Sequence, residues 1–204
     1  MAILQAGRNS GSSDGTAPWL GIQKARITEF RDEAHKWDWA EIYLTVELDV
    51  SGSDYSRPLK IAGSFEKNPD GTIQENSLVR RINYLMTALG WDGGINQYGK
   101  WEDADGKELE DAAAFFQSMY TNTPEGTYPY LVYVYKELPK KGKSYTRVHN
   151  KIMKNEGTNE RKLKDHIAYL KKNGYLKEAV EKQDDMIEFD GDITELADLS
   201  LENL

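Results

Sequence analysis

The feature that most constrains the fold is a strict alternation of residue types between residues 40 and 50. Ile42, Leu44, Val46, Leu48 and Val50 alternate with Glu, Tyr, Thr and Asp residues. Successive side chains of a β-strand point to opposite faces of its sheet. A period of two therefore predicts a strand with one buried face and one face in water.

The same reasoning predicts the other elements. Apolar residues recur at helical spacing up to Leu89, where Asn76 or Ser77 can cap the start and Gly90 follows the end. Residues 91–107 are rich in Gly and Asp and are predicted to be a loop, and the next helix carries Met119 on its apolar face. The predicted strands are Gly21–Arg31, Ala40–Val50, Arg57–Glu66, Tyr128–Lys136 and Ser144–Met153, and the predicted helices are Leu78–Leu89, Glu108–Tyr120 and Asn159–Lys172.

The order of these elements predicts a mainly β protein with helices. Three strands, a helical insertion and two more strands form the strand order of an OB-fold, a five-stranded Greek-key barrel that binds oligonucleotides and oligosaccharides. The chain then divides into four parts. They are a flexible N-terminal arm (1–18), an OB-fold-like domain (19–156), a C-terminal helix packing on the barrel (157–182) and a disordered acidic tail (183–204).

Charge is segregated along the chain, whose formal net charge is −8. The tail 183–204 carries eight acidic residues and no Lys or Arg, and residues 136–172 are strongly basic. Acidic runs are often solvated ends, but this one also carries regularly placed apolar residues. The pattern favours docking of the tail into a basic pocket with an apolar floor on a partner. Alternatively, the tail could be autoinhibitory by contacting the protein's own basic hairpin around residues 139–143.

Aromatic and basic residues share the predicted strands and loops. Single-stranded nucleic acid is held by cations that follow the phosphates and by aromatic rings on which bases stack. This chemistry predicts a nucleic-acid-binding set with two roles. The residues predicted to stack are Trp37, Trp39, Tyr43, Tyr133, Tyr135 and Tyr145, and those predicted to contact phosphates are Lys24, Arg26, Lys60, Lys140, Lys141, Lys143, Arg147 and Lys151.

Signatures of catalysis and of membrane insertion are missing from the sequence. It has no cysteine, no metal-ligand spacing among its three histidines, and none of the phosphate-loop, dinucleotide-loop, zinc-protease or serine-hydrolase motifs. No apolar run has the length that a membrane span needs, and residues 1–18 do not form a signal peptide. We therefore expect a protein that is not an enzyme, needs no cofactor or metal and acts in the cytoplasm, that of a host cell if the chain is viral.

The layout of residues 20 to 204 resembles the single-stranded-DNA-binding replication proteins of bacteriophages. Four segments carry the resemblance: EIYLTVELDV, SLVRRINYLMTALGW, YVYKELPKKGKSYTRVHNKI and DDMIEFDGDITELADLSLENL. It implies an OB-fold, sequence-independent binding of single strands in DNA replication or recombination, and a tail that contacts replisome or recombination proteins. Many such tails end in an aromatic residue, whereas this chain ends in Leu204, which leaves the tail's partner open.

Two other functions fit the sequence. A carbohydrate- or peptide-binding β-domain would also expose aromatic residues, but it would not need the basic hairpin around residues 139–143. A duplex-DNA regulator resembling a winged helix would use the basic helix Asn159–Lys172 in the major groove, provided that residues 144–153 were helical. Monomeric and homodimeric states are both open.

Overall fold

The computed structural model describes residues 19–138 and 144–179. The predicted N-terminal arm, the lysines at positions 140, 141 and 143, and the acidic tail lie outside the described residues. Along the chain the elements are β1 (Gly21–Asp32), β2 (Ile42–Val50), β3 (Arg57–Gly63), α1 (Ser77–Leu89), β4 (Gly94–Ile95), β5 (Trp101–Glu102), α2 (Ala112–Tyr120), β6 (Tyr130–Lys136), β7 (Thr146–Val148), β8 (Met153–Lys154) and α3 (Asn159–Lys172).

Five antiparallel strands form a nearly closed barrel in the hydrogen-bonded order β3-β2-β1-β6-β7. Strands β3 and β7, at the two ends of this order, lie against each other. The long strand β1 pairs with both β2 and β6, and an irregularity between Ile27 and Glu29 shifts its register. Such irregularities bend a strand and increase its twist, which helps a sheet to close. The predicted OB-fold-like barrel with a helical insertion is confirmed.

The inner face of β2 lies in the main apolar core, as the alternation predicts. Val46 and Leu48 are fully buried, and Leu59 and Ile61 meet them from β3. The outer face keeps its polar side chains in contact with solvent, except for Thr45, which is buried and donates a hydrogen bond to Glu33. Strand β2 therefore has one face in the apolar core and one largely polar face toward solvent.

The insertion between β3 and β6 holds α1 and α2 against the barrel. The Asn76 side chain accepts hydrogen bonds from two backbone N–H groups of α1, and Gly90 ends the helix with a φ of 67°. Glycine adopts that left-handed conformation without steric cost. Residues 91–107, predicted to be loop, contain the β4–β5 hairpin. On the apolar face of α2, Ala112, Ala113 and Phe116 are buried, whereas Met119 is exposed.

Helix α3 has the predicted bounds and covers the outer face of β6. Leu163 and Ile167 are buried in a second apolar cluster with Leu131, Tyr133 and Leu176. The alternate residues of β6, including Val132, belong to the main core. Strand β6 is consequently buried on both faces. No helix within residues 19–138 and 144–179 combines the length and the apolar character needed to cross a bilayer.

The predicted fifth strand is shorter than its sequence pattern. Residues 144–153 form only β7 and the start of β8, with a break between them in which Ile152 turns into the core. Because this segment is not helical, α3 lacks the preceding helix that a helix-turn-helix reader would place at that position. The winged-helix alternative required residues 144–153 to be helical, and the structure therefore does not support it.

We predict that Leu48→Ala lowers the free energy of unfolding by about 2–5 kcal/mol, because it leaves a cavity between β2 and the rest of the barrel core. The matched variant Leu138→Ala removes the same atoms from a side chain that is 50% exposed, and it should change stability by less than about 1 kcal/mol. Urea denaturation followed by circular dichroism measures both. Equal losses would contradict the core assignment of β2.

Candidate nucleic-acid interface

Three of the predicted stacking residues form one aromatic cluster on the outer surface of the barrel. The rings of Trp37 and Tyr43 are stacked with centroids 5.6 Å apart, and Trp39 lies 6.2 Å from Trp37 and 6.0 Å from Tyr43. Trp37 is 44% exposed and Trp39 is 56% exposed. Neither tryptophan is among the buried or partly buried residues that form the two apolar clusters. The rings therefore lie outside the buried core, and much of their surface stays accessible.

The loop between β1 and β2 positions these rings. A 3-10 turn over residues 34–36 follows β1, and the Asp32 carboxylate accepts a hydrogen bond of 2.8 Å from the Ala34 N–H. At the other side of the loop, the Ser64 hydroxyl donates to the Trp39 carbonyl. Tyr43 belongs to β2 and alternates with buried neighbours, so its ring must point outward. The two tryptophans are thereby held against a ring that the sheet itself orients.

Lys60 adds a cation to this cluster from the neighbouring strand. It is opposite Thr45 in the β2–β3 register, and its ammonium nitrogen lies 5.7 Å from the centre of the Tyr43 ring. Within the described part of the chain, no carboxylate pairs with it. We name Trp37, Trp39, Tyr43 and Lys60 the aromatic face.

Carboxylates neutralise most other cations near the aromatic face. Arg31 pairs with Glu47 at 2.6 Å, Lys67 with Glu41 at 2.6 Å and Lys36 with Glu33 at 2.8 Å. Hydrogen bonds from Lys36 and Thr45 lower the pKa of Glu33 to about 2, so this carboxylate stays charged at neutral pH. Three cations near the rings are thus paired with carboxylates, and the described surface around the rings is polar and close to neutral.

Arg26 and Lys24 lie apart from the aromatic face. Arg26 forms an ion pair of 2.7 Å with Asp49, which sits six residues along β2 from Tyr43, or roughly 20 Å. Lys24 is exposed two residues earlier on β1. These two cations do not adjoin the rings, and Arg26 already has an anionic partner.

Tyr133 and Tyr135 do share a face of their strand, as the sequence predicts, but that face lies under α3. Tyr133 is only 8% exposed, its ring stacks on Tyr135 with centroids 6.1 Å apart, and both belong to the second apolar cluster. Burial raises the pKa of both phenols. The predicted stacking role of Tyr133 is wrong, because its ring is buried under α3, whereas Tyr135 is partly exposed and its stacking role stays a prediction.

Tyr145, Arg147 and Lys151 do not share one strand face. Tyr145 is 62% exposed beside Arg147, which pairs with Glu137 at 2.9 Å. Lys151 lies beyond the break after β7, with its ammonium nitrogen 5.0 Å from the centre of the Tyr84 ring on α1. Tyr145 and Arg147 therefore belong to the β6–β7 hairpin, whereas Lys151 lies next to α1.

A second cation–aromatic cluster was not predicted. The Arg57 guanidinium lies 4.9 Å from the centre of the Trp19 ring and 5.9 Å from that of Tyr55, which is 72% exposed. Tyr55 stands in the polar turn SGSDYS. An aromatic residue in a turn of small polar residues, two positions before an arginine, is the signal that would have identified it.

No group of three or more His, Cys, Asp or Glu side chains with a geometry for metal binding occurs among residues 19–138 and 144–179. Comparison of the chain with protein-family models, with curated proteins and with solved structures finds no match. Functional inference consequently depends on the fold and the aromatic face themselves.

The predicted phosphate contact Lys151 instead belongs to a basic cluster between α1, α3 and the end of the barrel. The rings of His149 and His166 lie 5.6 Å apart, and Tyr84 is 6.0 Å from His166. Burial and the neighbouring His166 and Lys151 lower the pKa of His149 to about 4, and burial also lowers the pKa values of His166 and Lys151. The two histidines are therefore neutral in the folded protein at pH 7.

We predict that acidification from pH 7 to pH 4.5 destabilises the protein partly through His149. The unfolded chain binds a proton near pH 6.5, whereas folded His149 resists it down to about 4. The unfolded state thus holds more protons in that window, and stability falls with falling pH, by at most about 3 kcal/mol from this group. Urea unfolding at each pH should show a smaller loss for His149→Gln than for the wild type, and an unchanged loss for the exposed matched control His35→Gln. Identical pH profiles for all three proteins would contradict this assignment.

Proposed function

We propose that this protein is a non-catalytic, sequence-independent single-stranded-DNA-binding protein that protects and organises replication or recombination intermediates. The aromatic face is the observation that carries the proposal. Two tryptophans and a tyrosine lie on the outer surface of an OB-like barrel, outside its core, beside a lysine without a carboxylate partner in the described part. Exposed aromatic rings with adjacent cations suit the stacking of bases and the contact of phosphates.

The position of the aromatic face supports the proposal further. OB-folds bind oligonucleotides on the face of their second and third strands, together with the loops that follow the first and fourth strands. Trp37 and Trp39 lie in the first of these loops, while Tyr43 and Lys60 lie on β2 and β3. The hairpin between β6 and β7, the fourth and fifth barrel strands, carries Tyr145 and the sequence of three lysines between residues 140 and 143.

Stacking should contribute more to affinity than charge does. Each base stacked on an aromatic residue contributes about 1–3 kcal/mol. Lys60 and the three hairpin lysines give roughly four phosphate contacts, and so a slope of log affinity against log salt of roughly −3 for a single strand. A strongly basic groove would give a much steeper slope.

The acidic tail 183–204 completes the proposal as a docking segment for replisome or recombination proteins, or as an autoinhibitory segment. Its apolar residues would supply contact area, and its carboxylates would select a basic partner. The protein would act in the cytoplasm, that of the host cell if the chain belongs to a bacteriophage.

A carbohydrate-binding function is the second candidate, and one observation favours it. The cations around the aromatic face are largely paired with carboxylates, which leaves a nearly neutral surface of the kind on which sugar rings stack. Sugar binding would be largely insensitive to salt, whereas DNA binding would weaken with it.

Titration with fluorescently labelled oligo-dT tests the proposed function. We expect oligo-dT to bind more tightly than a duplex of equal length, with quenching of tryptophan fluorescence and a salt slope of roughly −3. Preference for the duplex, or affinity that ignores salt, would overturn the proposal, and the second of these results together with binding to oligosaccharides would favour the carbohydrate alternative.

Substitution of Trp39 tests the aromatic face itself. We expect Trp39→Ala to weaken oligo-dT binding roughly fivefold to a hundredfold, because one stacked base is lost. The matched control is Tyr169→Ala, which removes a ring that is 58% exposed on α3, away from the aromatic face. Fluorescence anisotropy should show unchanged affinity for this control, and equal effects of the two substitutions would mean that the rings of β2 and its loop are not the binding site.

A further inference from the structure

A groove separate from the aromatic face runs along α3 where the helix meets the barrel. Its volume is about 430 Å³. Ile22, Tyr133 and Ile167 form an apolar floor, and the side chains of Lys164 and Lys171 stand at its rim with one acidic residue, Glu160. The groove combines an apolar floor with two cations, which is the chemistry that accepts an acidic segment carrying apolar side chains.

The segment just after α3 already makes one apolar contact and one ion pair of this kind at one end of the groove. Leu176 is buried in the second apolar cluster, and Glu178, two residues later, forms an ion pair of 2.6 Å with Lys171. The Lys171 ammonium nitrogen also lies 5.1 Å from the centre of the Tyr133 ring in the groove floor. An apolar residue followed two positions later by an acid is thus bound on α3 in the structure itself.

The described chain ends beside the groove. The Ala179 N–H donates a hydrogen bond of 3.0 Å to the carbonyl of Lys136 at the end of β6. Tyr133, three residues earlier on β6, pairs with Ile22 of β1, and both line the groove. The residues that follow Ala179 therefore start next to the apolar floor and the Lys171 end of the rim.

The acidic tail repeats the pattern of Leu176 and Glu178. Met186 is followed by Glu188, Ile193 by Glu195 and Leu196 by Asp198. The first repeat lies in the segment 184–190, DDMIEFD, which has four acids, three large apolar residues and no basic residue. It matches the groove in both charge and apolar character.

We propose that residues 184–190 of the tail dock in the groove between α3 and strands β1 and β6 of the same chain. The apolar side chains of Met186, Ile187 and Phe189 cover the floor, and the flanking carboxylates pair with Lys164 and lie beside Lys171, which keeps its ion pair with Glu178. This docking places the tail on α3, apart from the basic hairpin, and it does not depend on nucleic-acid binding.

The length of the chain allows this placement. Five residues from Ala179 to Asp184 reach at most about 18 Å when extended. The groove follows α3 from Glu160 to Lys171, which is roughly 16 Å of helix, and seven extended residues can span it. A short tether also gives the segment a local concentration in the millimolar range, so that even weak contacts keep it docked.

Cysteine cross-linking in the full-length chain tests the docking, since the sequence has no native cysteine. Ala168 is exposed and lines the groove, whereas Ala114 is exposed on α2. We expect the double variant Ala168→Cys/Ile187→Cys to form an intramolecular disulfide at least about tenfold faster than Ala114→Cys/Ile187→Cys under the same mild oxidant. Non-reducing gels and mass spectrometry measure both rates without any DNA present.

Charge variants then test the lysines at the rim. Lys164→Glu with Lys171→Glu should slow the disulfide at least fivefold, and the matched pair Lys162→Glu with Lys172→Glu, on the same helix but outside the groove, should not. Equal rates for the Ala168 and Ala114 variants, an equal effect of both charge pairs, or a disulfide formed between two chains would overturn the proposal. Circular dichroism of each variant verifies that α3 is intact.

Discussion

The burial of β6 on both faces is the constraint on which the rest of the structure depends. One face of the strand closes the barrel core through Val132, and the other supports α3 through Leu131 and Tyr133. Strand β6 pairs with β1 and β7 through its backbone, but its apolar outer face still has to be shielded from water, and α3 covers that face. The position of the helix in turn decides which outer surface of the barrel remains open.

The position of α3 leaves two outer surfaces of different chemistry. On the β2–β3 side, aromatic rings stand exposed with Lys60 and several neutralised ion pairs around them. On the β6 side, α3 leaves a groove with an apolar floor and lysines at its rim. The first surface suits the flat faces of bases, and the second suits an acidic apolar peptide. A single barrel can therefore present two binding chemistries because one helix covers only part of its circumference.

Local patterns predicted the elements, but register and helix docking decided the site. The alternation in β2 and the Asn76 and Gly90 caps are properties of short segments, and the structure follows them. The pairing of Arg26 with Asp49 needs the β1–β2 register, which no local pattern contains. The burial of Tyr133 depends on packing against α3, which lies about 30 residues away in the sequence. The alternation of residues 144–153 continues through the break after β7, and no Gly or Pro marks that break.

The exposed tryptophans are the part of the structure that stability does not explain. A buried aromatic ring contributes a large apolar area to a core, but Trp37 and Trp39 are 44% and 56% exposed, and their rings lie against each other and against Tyr43. Lys60 beside them keeps a cation near a surface where the neighbouring charges are already paired. Under the proposed function, the flat faces of bases would cover these rings. Because the surrounding surface is nearly neutral, stacking would then hold the bases more than charge does.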